Sequence, residues 1–118
     1  MDNLAQLRAL HAKDWAPHVE SGEGGSRAIA KKVPAQIIQN GFLGALAFAL
    51  DGNKGHLSVF KGVLEHFSLL RDCGFDFGVS EADPEKFFQE ICRKPSDTLR
   101  SITAETMEYL NYLRRFVK

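Results

Sequence analysis

Four histidines and two cysteines are the residues of this chain best suited to acid–base, nucleophilic or metal chemistry, and their spacing decides whether they do any. His11 and His18 stand seven apart, which puts both on one helical face, and His56 and His66 bracket another helical stretch. No Glu or Asp completes either couple in a ligand or general-base pattern, so these histidines are expected at the surface or at helix ends. Cys73 and Cys92 lie nineteen positions apart with no His or Cys at metal-ligand spacing, which indicates neither a zinc site nor a disulfide framework. Both are expected as free, partly buried thiols, and the acidic neighbours Asp72 and Asp76 disfavour a reactive thiolate at Cys73. No catalytic residue, no metal and no cofactor is predicted.

Polar chemistry of another kind is written into the stretch from Lys31 to Phe48. Lys32, Gln36, Gln39 and Asn40 recur at helical spacings and share one polar face, which could grip phosphates or simply face water. After them Gly41, Gly44, Ala45, Ala47 and Ala49 alternate with Phe42, Leu43, Leu46 and Phe48, a small-residue surface expected to let another helix approach closely. The Gly41-Phe42-Leu43-Gly44 step matches the backbone-clamping loop of some RNA-binding domains. That loop needs flanking strands, and here it falls inside an apolar helical run, so it is expected to be a packing feature. A helix-turn-helix DNA reader ranks third, because no helix is basic enough along one face to enter a major groove.

These side chains depend on the helices that carry them. Leu4, Leu7, Leu10, Trp15 and Val19 mark a first helix in which Pro17 should disturb only the last turn. The glycine-rich link 22–25 follows, read as flexible and without chemistry. A second helix starts at a Ser26 cap or restarts at Pro34, with a kink expected near Val33, and stops at the turn 51–55. The third runs from His56 to Cys73, with Gly74 just past its end. Asp83-Pro84-Glu85 opens a short fourth helix reaching about Lys94, and Ser96 caps a long fifth whose Leu99, Ile102, Thr106, Tyr109, Leu113 and Phe116 repeat at three and four. Nothing has strand periodicity. The expectation is an all-α, compact bundle of about five to six helices forming a single domain over residues 1–118.

At 118 residues, 44% hydrophobic, with nine Phe and few β-branched residues, the composition suits such a bundle. Net charge is zero, which argues against a freestanding nucleic-acid binder, but the distribution is uneven. Residues 21–62 carry a surplus of +3, residues 63–90 a deficit of −5, and residues 91–118 again +3. Such a chain can show a basic surface to a polyanion and an acidic one to protein neighbours. No charged-then-apolar leader opens the sequence, and the longest apolar run, Gly41 to Leu50, is about half the length needed to cross a bilayer. A soluble, cytoplasmic protein without membrane contact is expected.

Two segments, VPAQIIQNGFLGALAF from Val33 to Phe48 and TAETMEYLNYLRRF from Thr103 to Phe116, resemble the small α-helical subunit of the Cmr-type (type III-B) RNA-guided CRISPR effector complexes. Tyr112 stands where that pattern often has Trp, and the glycine-rich link is longer than usual. The resemblance implies a non-catalytic subunit that stacks with copies of itself into an inner filament. The other Cmr subunits are then its partners, and a guide/target RNA duplex lies alongside with no small-molecule substrate. RNA cleavage in such complexes belongs to the larger subunits. On charge and face, Arg27, Lys31, Lys32, Gln39 and Asn40, together with Arg114, Arg115 and Lys118, are the expected contacts to phosphate or sugar. The alternative is an all-α protein-interaction subunit, or the small subunit of another RNA-guided complex, that docks to protein alone.

Overall fold

Asn3 starts the first helix: its side chain accepts from the Gln6 N–H at 2.8 Å while Gln6 Oε1 accepts from the Asn3 N–H at 3.1 Å, a reciprocal cap. The computed structural model describes residues 3–118, and α1 spans Leu4–Ser21 with Pro17 inside it. Ser26 caps α2 (Arg27–Leu50) by accepting from the Ile29 N–H, as expected. The interruption in α2 is not where the proline suggested. Helical geometry holds through Pro34 and fails at Gly41, at φ 78° and ψ 166°, a conformation essentially reserved for glycine. The break lets Phe42 turn inward, where its ring meets Phe60 edge-on at 5.7 Å and Phe87 at 6.2 Å.

After the turn 51–53 comes α3 (Lys54–Asp72), which runs antiparallel to α2, with Phe48 against His56 at one end and Phe42 against Phe60 further along. It closes as the sequence predicted: Gly74 takes φ 93°, the Phe75 N–H reaches Leu70 O at 2.8 Å, and the Gly74 N–H reaches Arg71 O at 3.0 Å. The short α4 (Pro84–Cys92) is capped by Asp83, and α5 (Ser96–Phe116) follows. Ser96 is the first residue of α5 rather than its cap; Pro95 holds the cap position without a side-chain bond.

All five helices contribute to one buried core, and among the described residues there is no strand. Five helices and an all-α bundle agree with the expectation from sequence. The α1 helix lies parallel to α5, since Arg8 meets Glu105 near one end and Glu20 meets Lys118 near the other. It runs antiparallel to α3, with His11 on His66 and Trp15 donating to Ser58 O at 2.9 Å.

Close packing by glycine occurs here and not on α2. A Cβ at Gly62 would collide with the Trp15 ring, whereas Gly44, Ala47 and Gly41 face solvent and Gly41 has open space around it. The expected small-residue contact surface is therefore reduced to Ala45 and Ala49, which are buried beside Phe42 and Leu46. The link 22–25 is more ordered than a flexible tether: the Gly25 N–H bonds Gly22 O, and Glu23 pairs with Lys54 at 3.0 Å. Among the described residues α2 alone is long and apolar enough to span a bilayer, yet its inward side is spent on α3, α4 and α5.

Candidate nucleic-acid interface

On α2, Arg27, Lys31, Pro34 and Ile38 recur at three- and four-residue spacings and so share a face. Pro34 and Ile38 line a groove of about 310 Å³ whose other wall is α5, through Met107, Glu108, Asn111 and Arg114. Ile38 is 75% exposed, a large apolar side chain left open at the groove. Arg114 is steadied by donating from Nη2 to Asn111 Oδ1 at 3.1 Å. Apolar side chains thus lie beside a guanidinium and an amide, which suit a sugar or base face next to a phosphate, while the Glu108 carboxylate in the same wall opposes an anion at its own end.

The remaining expected contacts lie elsewhere on the surface. Lys32, Gln39 and Asn40 are exposed on the adjoining flank of α2, the last two just before the Gly41 break. Gln36 of the same flank turns inward, its Oε1 buried without a partner. Lys32 faces the start of α3: His56 is held below its ordinary pKa by burial first and by the Lys32 charge second. Arg115 is exposed near the end of α5, and Lys118 lies beyond it with its N–H 3.4 Å from Glu20 Oε1. All eight are exposed, and among the described residues none of their charged side chains forms an ion pair. The fold therefore brings Arg114 to the α2 groove, with Arg27 and Lys31 on the same α2 face, and leaves Arg115 and Lys118 apart.

The largest departure from the sequence reading is inside the molecule. Arg8 of α1 grips Glu105 of α5 with two bonds, Nε to Oε2 at 2.8 Å and Nη2 to Oε1 at 2.6 Å, and also lies 3.7 Å from Glu108. Glu105 Oε2 is 2.9 Å from His66 Nε2, and His66 Nδ1 is 2.8 Å from His11 Nδ1. The Tyr109 ring stacks on His66 at 4.6 Å, with its hydroxyl buried and unpartnered. So His11 and His66 are buried inside their helices rather than at the surface or a helix end, whereas His56 lies, buried, in the first turn of α3 and His18 is exposed in the last turn of α1, stacked on Trp15.

Burial alone would push the Glu105 carboxyl up, but the bonds from Arg8 and His66 outweigh it and hold the group below its ordinary value. Arg8 is correspondingly raised by its bond to Glu105. His11 is lowered, first by burial and then by His66, against a smaller opposing pull from Asp14. Burial pushes the Tyr109 hydroxyl far up, so it stays protonated.

A signal for this network did exist in the sequence. Glu105 sits three residues after Ile102 and four before Tyr109, inside the apolar stripe of α5, and His66 likewise falls between Val63 and Leu70. Ionisable residues inside an apolar stripe have to find partners from other helices. The cysteines also differ from expectation: both are free, but exposed rather than partly buried. Among the described residues no group of three or more His, Cys, Asp or Glu is placed to hold a metal.

Compared with known protein families, residues 4–118 match the family described as CRISPR-associated protein (Cas_Cmr5). No curated protein and no solved structure matches the chain.

Proposed function

Since the chain belongs to the CRISPR-associated Cmr5 family and is thereby a subunit of a Cmr-type complex, we propose that it serves there as the non-catalytic small subunit. In this reading copies stack into an inner filament in the cytoplasm and hold the backbone of the guide and target RNA. The observation that carries the RNA contact is the groove between α2 and α5, with Arg114 on its rim and Arg27 and Lys31 along the same α2 face, all unpaired among the described residues. Guided complexes read sequence by base pairing, so the protein has only to hold sugar and phosphate, and scattered Lys and Arg contacts are enough. Zero net charge makes the isolated chain a weak RNA binder, dependent on its neighbours for affinity.

The test is RNA binding by the reconstituted complex carrying Lys31→Glu and Lys32→Glu. Affinity should fall by the same factor for every target sequence, with helix content unchanged. Loss confined to particular sequences would contradict backbone gripping. A protein-only role is favoured by one specific observation, the exposure of Ile38 between Pro34 and Met107. If the double exchange leaves RNA binding intact while Ile38→Asp lowers recovery of the subunit in the complex, the groove docks protein.

A further inference from the structure

The bonds around Glu105 fix where the protons lie. Glu105 is a carboxylate and can only accept, so the nitrogen it meets, Nε2 of His66, carries the hydrogen. When both rings are neutral, His66 Nδ1 holds a lone pair and accepts from the Nδ1–H of His11, leaving the lone pair of His11 on Nε2. His66 is fully buried and His11 is 8% exposed, so His11 is the end of the chain that solvent reaches.

We propose that the His11–His66 pair is a one-proton latch between α1 and α3, which accepts a single proton with its bridge intact and comes apart on the second. The first proton adds to His11 Nε2 and breaks no bond. The bridging proton can then pass from His11 Nδ1 to His66 Nδ1, which moves the positive charge onto the imidazole that touches Glu105. A second proton gives both rings an N–H on the nitrogens that face each other at 2.8 Å, two donors with no acceptor and two like charges. The bridge is lost.

Burial makes even the first proton costly at His11, and the surroundings oppose the second far more. Around the pair, Asp14 of α1 acts on His11, Glu105 of α5 meets His66, and the Tyr109 ring of α5 stacks on His66, with Arg8 of α1 behind Glu105. Glu105 is already occupied by Arg8 and therefore supports one adjacent imidazolium rather than two. With the latch open, α1 is still tethered by Arg8 to Glu105 and by Trp15 to Ser58 O. The consequence is a graded uncoupling of α1 under mild acid rather than wholesale unfolding.

The experiment is nitrogen-detected NMR of the histidine side chains in the full chain across an acid titration, with amide hydrogen exchange of α1 measured in parallel. His11 and His66 should share the first proton in a coupled step with the bridging N–H still present. The α1 opening constant should then rise about tenfold per pH unit for each further proton taken up on opening. His11→Gln keeps a donor for His66 Nδ1 but cannot titrate, and should flatten this pH dependence. Independent one-proton titrations of the two rings, or the same acceleration of α1 exchange in His11→Gln, would overturn the latch. Should the variant fail to fold, the wild-type titration decides alone.

Discussion

Glu105 shows how a single residue can tie three helices together. Its side chain is 2% exposed and it serves Arg8 and His66 at once, so its removal strands a partly buried guanidinium and a fully buried imidazole N–H. Breaking one side of a buried pair costs about 3–5 kcal/mol, and Glu105→Ala should lower stability by that order in chemical denaturation. Between pH 8 and 4 the shifted groups that titrate act with one sign. His11 and His56 have folded values below the ordinary 6.5, so the unfolded chain binds protons that the native state refuses, and stability falls as pH drops below about 6.5. Glu105, held below its ordinary 4.5, keeps its contribution above that value and loses it as pH falls through the folded value. Denaturation midpoints at pH 8, 6 and 4 should therefore decline in that order. A midpoint that rises on going from pH 8 to 6 would contradict the assignment.

Elements were legible to the extent that they depend on local rules. The caps at Ser26 and Asp83, the exit at Gly74 and the 3–4 stripe of α5 all follow from chemistry within a few residues, and all are where the sequence put them. The break in α2 was misjudged because Pro34 and Gly41 compete: proline lacks a donor, but glycine can take a conformation from which other residues are excluded. What settled the choice is the need to aim Phe42 at Phe60 and Phe87, a demand set by α3 and α4. Gly41→Ala should thus cost about 1–3 kcal/mol although a methyl group would meet nothing within 4 Å, since the cost is in the backbone alone. Gly62→Leu should also cost at least about 1–3 kcal/mol by forcing Trp15 off α3, while Gly44→Ala, where the nearest atom is Asn40 Cβ at 3.1 Å, should stay within about 1 kcal/mol of the parent. A large loss at Gly44 would restore the close helix crossing that the sequence suggested.

For the whole molecule, the packing of α5 against α2 leaves a groove in which Pro34, Ile38 and Met107 meet Arg114. Ile38→Asp should change stability by no more than about 0.5 kcal/mol, because the side chain is already 75% exposed; any loss of assembly then reports on docking. Binding of single-stranded RNA by the complex should weaken with salt at a log–log slope of about −0.7 per phosphate neutralised, and Arg114→Glu should make that slope shallower. The eight expected contacts were legible as exposed because charged and amide side chains stay at the surface unless paired. Which of them share a groove was not legible, since that depends on how α5 crosses α2. The amino-acid order alone determined the helical class, most helix ends and the family likeness, because capping, periodicity and motif spacing are short-range properties. Only the tertiary structure decided that His11, His66 and Glu105 meet Arg8, because an ionisable group is tolerable inside a core only when a distant part of the chain brings its partner.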